Sequence, residues 1–427
     1  MEEINNKEEY ELIRETIKTR PINRKKLFRR TVITAAMAVI FGVFACITFL
    51  VLEPVFSNML SPEDRPVANE VKFPLDEEET MPEDLILEDK VESQTQIIIK
   101  ETDRSTTGIE DYLGLYNEIY DLYRVCQKSI VTVAGVNNDI DWFNNSYTSQ
   151  NISTGLIVAN NGIELLILTD SLAIRNSESI EISFFDDTTA EGVVKATDKN
   201  TGLVIVAVPV DNLTSTVLDP GVIASLGNSK TDRLFASPVV ALGRPLGNVI
   251  SIENGMVTSK GEIINMVDNN YELFTTDMNG NSNSNGFIYN LSGEVVGVIY
   301  QKSKLFSQST LSAIGISDLK KTIERMSNAY SRPTLGLIGT DVTAEAMAHG
   351  VPSGAYVLEI EMGSAAMKSG IQSGDVITKI DGFDITTFTV YTEAIASHEP
   401  GDEIVVTLNR LSGNEYIEME VNVVLGE

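Results

Sequence analysis

Imidazole is the side chain best suited to accept and return protons near neutral pH, because its ordinary pKa of about 6.5 lies close to that value. The chain of 427 residues has two histidines, His349 and His398, both in its last fifth. Any chemistry carried by the upstream sequence must do without that base. The two cysteines, Cys46 and Cys126, are too few for a disulfide framework, and Cys46 sits within an apolar run. There is no CxxC motif and no Cys/His cluster, so neither a metal site nor any other cofactor is expected.

The elements that would position such groups follow from composition and pattern. A hydrophobic content of 43% suits globular domains. The net charge of −29 argues against nucleic acid, and against an anionic bilayer surface as a partner of the acidic portion. Thr31 to Leu52 (TVITAAMAVIFGVFACITFLVL) carries no charge. At about 1.5 Å per residue it is long enough to cross a hydrocarbon core of about 30 Å. Arg24, Lys25, Lys26, Arg29 and Arg30 precede it, and acidic sequence follows it. This asymmetry predicts one uncleaved transmembrane helix with residues 1–30 as a cytoplasmic tail and the bulk of the chain outside the cytoplasm. No small-residue cleavage site follows Glu53, and the residues before Cys46 do not fit a lipoprotein signal.

Residues 53–108 contain Pro54, Pro62, Pro66, Pro74 and Pro82 and the acidic block Asp76 to Glu79, which predicts an extended, solvated linker. Gln96 to Ile99 reads as a short strand. Ile109, Tyr112, Leu113, Tyr116, Ile119, Tyr120 and Tyr123 recur at helical spacing, predicting an amphipathic helix that ends near Lys128. Such an aromatic stripe serves core packing or contact with a second copy of the chain. From Ile130 to Ile316 short β-branched runs alternate with Gly, Asn and Asp turns, the pattern of a sandwich or barrel. A helix over Ser317 to Ala329 follows. After Arg332-Pro333 a compact α+β module occupies 333–427.

Several phrases, in order, resemble the HtrA/Deg family of trypsin-like serine proteases. Ser153 to Val158 resembles the strand before the catalytic histidine, and Val239 to Gly247 resembles the "AIGNPxG" strand and turn. Asn254 to Thr258, Thr275 to Asp277 and Ser292 to Val298 are similar to the strands around the nucleophile loop. The resemblance implies a mostly β fold, two six-stranded antiparallel barrels at 109–330 followed by an α+β PDZ domain at 333–427. It also fits the N-terminal anchor and a bacterial source.

The resemblance places the catalytic triad position by position. Leu172 stands where the family's "LTNxHV" has its histidine, and Gly202 stands where "TDLAVL" has its aspartate. Asp198, nearby, matches a turn residue. Ser284 aligns with the nucleophile of "GNSGGP" and is the only triad position kept. Its loop reads Ser282-Asn283-Ser284-Asn285-Gly286, with two glycines of the pattern replaced and the approach from Thr276 one residue shorter. A serine without a base is a weak nucleophile. Lys195, Lys199, Lys230, Lys260, Lys302 and Lys304 are the alternative bases in principle, none at a position where the family keeps one. His349 and His398 belong to the C-terminal module.

In that module Thr334-Leu335-Gly336-Leu337 resembles the carboxylate-binding loop, with Thr334 where an aromatic is usual. Backbone N–H groups of such a loop converge on a peptide's terminal carboxylate, and the strand from Leu337 to Val342 pairs with the peptide. A helix over Thr387 to Ser397 forms the other wall. The expectation is a membrane-anchored, extracytoplasmic family member without catalysis. It binds unfolded segments or protein C-termini, or regulates an active relative. A working serine endopeptidase in envelope quality control, and a scaffold self-associating as a trimer or other oligomer through Ile109–Lys128, are the alternatives.

Overall fold

The computed structural model describes residues 28, 35, 37, 68–74, 76, 108–140, 146–247, 249–302 and 309–427. The expected strand at 96–99, and the expected membrane span apart from Ala35 and Met37, lie outside the described residues. Among the described residues no helix is long and apolar enough to cross a membrane. The chain divides into two compact units, Met1–Pro66 and Val67–Glu427, and every element named below belongs to the second.

Helix α1 (Ile109–Cys126) runs through a 3₁₀ turn into β1 (Ile130–Ile140). Strands β1, β2 (Ser146–Asn160), β3 (Glu164–Asp170), β4 (Ser179–Ser183), β5 (Thr189–Thr197) and β6 (Leu203–Pro209) close into an antiparallel barrel in the order β1-β2-β3-β6-β5-β4. The continuous apolar runs of β3 and β6 explain how it packs, because both faces of these two strands are buried. In β3, Leu165 and Ile167 fill the barrel, while Leu166 and Leu168 face a second apolar cluster outside it. In β6, Val204, Val206 and Val208 point inward, and Leu203, Ile205 and Ala207 point to the outer cluster.

The second sheet contains β7 (Ser225–Leu226), β8 (Pro238–Arg244), β9 (Ser251–Met266), β10 (Asn269–Asn279), β11 (Asn285–Asn290), β12 (Glu294–Ile299) and β13 (Thr310–Gly315). Its order is β11-β8-β9-β10-β13-β12-β7, and pairing of β11 with β12 closes it. Val239 and Ala241 enter its interior, and Val240 and Leu242 join the outer cluster. That shared cluster is the layer between the barrels. It takes in Ile316, Leu319, Ile323 and Met326 from one face of α2 (Ile316–Ser327). Full burial of each such side chain is worth roughly 1.5–3 kcal/mol, so this layer fixes how the barrels meet.

Part of the segment expected to be a solvated linker lies against this body. Val71 and Phe73 pack on the inter-barrel cluster. The Val71 N–H donates to Asn328 Oδ1 at 2.9 Å, and Asn328 Nδ2 donates back to the Val71 carbonyl at 2.8 Å. Asp76 pairs with Lys320. The stripe on α1 departs from the core-packing alternative. Ile109, Tyr112, Leu113, Tyr116 and Tyr120 are exposed, and only the C-terminal end of the helix reaches the body, through Leu122, Tyr123 and Cys126.

The C-terminal module is a sheet in the order β14 (Leu337–Asp341), β15 (Ala355–Ile360), β16 (Val376–Ile380), β18 (Glu403–Ser412) and β19 (Glu415–Val424), with β17 (Phe383–Asp384) beside β16. Short helices α3 (Ala344–Ala348) and α4 (Ala365–Ser369) and the longer α5 (Phe388–Ala396) complete it. Thr387 caps α5 by accepting the Val390 N–H, and Phe388, Tyr391 and Ile395 bury the inner face.

Candidate functional site

Strands β8 and β11 pair with Gly243 opposite Gly286 and set the end of the Ser284 loop. The Ser284 hydroxyl donates to the Pro245 carbonyl and accepts the Asn281 N–H at 2.8 Å. Its own backbone N–H donates to the Asn281 carbonyl at 3.0 Å. The loop is closed further by Asn283 N–H to Asn281 Oδ1 (2.8 Å) and Asn281 Nδ2 to the Leu246 carbonyl (2.8 Å). Ser284 is 7% exposed. The serine is thus held as a structural hydrogen-bonding group, and an amide needed to stabilise an oxyanion is already committed within its own loop.

The other two triad positions hold different chemistry. Leu172 lies in the 3₁₀ turn after β3, 51% exposed, its N–H donating to Asp170 Oδ1 at 2.8 Å. Gly202 turns the chain between β5 and β6 at φ 78°, a left-handed conformation that suits glycine. A Cβ built there would lie 2.8 Å from Lys302 Nζ. The space where the family's aspartate side chain would start is therefore filled by a lysine, which pairs with Asp170 at 3.0 Å. Asp198, the turn residue, accepts the Thr201 N–H and hydroxyl.

Four of the six alternative bases, Lys302 among them, are engaged elsewhere. Lys195 pairs with Glu164, Lys230 with Asp318 at 3.2 Å, and Lys260 with Glu272 at 3.9 Å. The hydrogen-bond partners of the Ser284 hydroxyl are Pro245 and Asn281 rather than Lys199, and Lys304 lies outside the described residues. His349 binds the Glu345 carbonyl at the end of α3, and His398 bridges the Ala394 carbonyl and Asp381. Burial pushes the Cys126 thiol up to about 11, which keeps it protonated and unreactive at neutral pH. Among the described residues no group of His, Cys, Asp or Glu could hold a metal.

The loop Thr334 to Leu337 is built differently, around a carboxylate. Asp268, in the turn between β9 and β10, is 1% exposed. Its Oδ2 accepts the N–H groups of Leu335 (2.9 Å) and Gly336 (2.7 Å) and the Thr334 hydroxyl (2.5 Å). Its Oδ1 accepts the Leu337 N–H at 3.3 Å and the Tyr391 hydroxyl from α5. Burial first, then the adjacent Asp268 charge, holds the Tyr391 phenol well above its usual range, so it remains a donor. Gly336 has φ 81°, and a Cβ there would meet the Ser364 Cβ at 2.3 Å, so only glycine lets three successive amides converge. Converging main-chain N–H groups in such a nest bind anions. The sequence reading did not include Asp268. The one local signal was Thr334 in place of an aromatic, whose hydroxyl joins the same carboxylate.

Two closed antiparallel barrels with a nucleophile-loop serine between paired strands, followed by a PDZ module, define a trypsin-like peptidase fold with a peptide-recognition domain. Residues 153–298 match the family described as trypsin-like peptidase domain, and residues 331–423 match the PDZ domain. A "Probable periplasmic serine endoprotease DegP-like" from Hahella chejuensis is 28% identical over 289 residues, 65% of this chain and 58% of that protein. The "Periplasmic pH-dependent serine endoprotease DegQ" of Escherichia coli is 25% identical over 283 residues, 64% and 59% of the two chains. The chain thus spans less than two thirds of the length of these curated relatives. The structure described as "HtrA-type protease AlgW with decapeptide" is similar in fold at a TM-score of 0.53 and 17% identity, covering 72% of this chain and 98% of that one. The trypsin-like and PDZ matches, together with these relatives, support membership of the HtrA family.

Proposed function

We propose that the chain is a membrane-anchored, extracytoplasmic HtrA-family protein that binds peptides or protein C-termini without hydrolysing them. The observation that carries the binding half is the loop Leu335 to Leu337, whose amides converge on a carboxylate oxygen pair. A peptide's terminal carboxylate presents the same two oxygens, and β14 offers the strand edge beside it. The non-hydrolytic half is supported by the Ser284 surroundings. Its hydroxyl faces a backbone carbonyl, and the base and orienting positions are Leu172 and Gly202. The apolar run at 31–52 with basic residues before it supports the anchor, and relatives named as periplasmic support the extracytoplasmic location.

The test is covalent. A fluorophosphonate probe captures serines that attack phosphorus with help from a base. The purified chain is expected to remain unlabelled and to leave labelled casein intact, the same as Ser284→Ala. Labelling or cleavage that disappears in Ser284→Ala overturns the non-hydrolytic reading.

A further inference from the structure

We infer that the PDZ groove already holds an internal ligand, the β9–β10 turn with Asp268, and that a peptide carboxylate enters only by displacing it. The inference rests on the peptide-binding reading and adds its regulation. Both halves of peptide recognition are reproduced by the turn. The Asp268 side chain occupies the carboxylate loop with five donors, from Thr334, Leu335, Gly336, Leu337 and Tyr391. The backbone beside it adds to the sheet edge, with Val267 bridging antiparallel to Ile338 and the Asp268 N–H donating to the Leu337 carbonyl at 2.7 Å. Asn270 Nδ2 extends the contact to the Gly339 carbonyl at 3.2 Å.

The turn is held in place for this from outside the groove. Arg332 donates to the carbonyls of Val267 (3.1 Å) and Asp268 (2.9 Å). Asn200, two residues before Gly202, donates to the Val267 carbonyl at 2.7 Å. Asp268 keeps φ 52°, a left-handed conformation that disfavours most residues other than glycine, asparagine and aspartate. A buried carboxylate whose hydrogen-bond partners are all neutral donors is stable only while those donors stay aimed at it. Two carboxylates cannot share one set of amides, so the terminal carboxylate of a peptide and the Asp268 side chain exclude each other.

The experiment uses the full-length chain and the variant Asp268→Gly, which keeps the left-handed turn and removes the carboxylate. Amide hydrogen exchange over 334–340 is read first, without peptide. Loss of a charged acceptor should speed exchange at these amides by about tenfold or more. Binding is then read by anisotropy with fluorescein-labelled heptapeptides ending in Val, Leu, Ile or Phe, each as free acid and as C-terminal amide. Asp268→Gly is expected to bind the free acids about tenfold tighter than the wild type, and neither form to bind the amides.

Unchanged exchange overturns the internal ligand. Faster exchange with equal affinity in the two forms overturns the displacement. Faster exchange with no free-acid binding by either form overturns the peptide-binding reading, and the displacement with it, while supporting the internal ligand. Tyr391→Phe is the second variant, since it deletes one donor to Asp268 and leaves the loop amides and the turn intact. It is expected to shift exchange and affinity the same way by a smaller factor, and a shift in the opposite direction counts against the displacement.

Discussion

At the scale of single residues, the Ser284 site differs from a triad in more than two side chains. Restoring them as Leu172→His with Gly202→Asp would supply an imidazole and a carboxylate. Asp at φ 78° is tolerable, but its side chain would start 2.8 Å from Lys302 Nζ, and that cation would compete with the imidazole for it. The Ser284 amide would still donate to Asn281 and the hydroxyl to Pro245. In triad variants of known serine proteases, the remaining rate over water comes from the oxyanion hole and binding, about 10³–10⁴-fold. With that hole committed internally, the double variant is expected to stay dark to the fluorophosphonate probe. Labelling that depends on Ser284 would show instead that the loop is not the barrier. The positions Leu172, Gly202 and Ser284 were legible because each sits inside a strand-and-turn phrase that fixes its register. The pairing of Lys302, named only as an alternative base, with Asp170 was not, nor was the part played by Asp268, because these partners lie 132 and 68 residues away and no local pattern announces a long-range ion pair or hydrogen bond.

At the scale of elements, the sequence pattern located what is periodic and missed what is masked by neighbours. The apolar runs of β3 and β6 read directly as strands, and helices were expected over Ser317 to Ala329 and, from the resemblance, over Thr387 to Ser397, where α2 and α5 lie. Residues 68–74 and 76 were hidden by acids and a proline, although Val71 and Phe73 pack on the inter-barrel cluster. Helix α1 raises the opposite question. Its periodicity is clear, yet among the described residues nothing covers Ile109, Tyr112, Tyr116 and Tyr120. An apolar stripe left in water is a common mark of association, and contact with a second copy is the covering it fits. The fragment 67–427 is therefore expected to sediment as an oligomer, and Tyr112→Glu with Tyr116→Glu and Tyr120→Glu to sediment as a single chain. These three positions spare the anchoring end at Leu122, Tyr123 and Cys126. A wild-type fragment that already sediments as one chain would remove α1 as an assembly element.

At the scale of the whole second unit, the β9–β10 turn decides whether barrels and PDZ module behave as one body. Besides it, the described residues link the two through their connection and a small polar contact, Lys321 with Glu393 and Arg325 with the Ala396 carbonyl, and modules with small polar interfaces unfold independently. The turn instead buries a carboxylate from one inside a loop of the other, and Arg332 and Asn200 tie its backbone to the connection and to the first barrel. Removing the carboxylate leaves three loop amides, the Thr334 hydroxyl and a phenol without their acceptor, a cost of about 3 kcal/mol or more. Scanning calorimetry of 67–427 should then show one transition for the wild type. Asp268→Gly should show two, with the earlier belonging to the PDZ module. Free-acid peptide at saturation should split the wild-type transition in the same way, because it takes the amides that the turn must give up. Two transitions already present in the wild type, and unmoved by the variant, would mean that the aspartate fills the groove without coupling the modules.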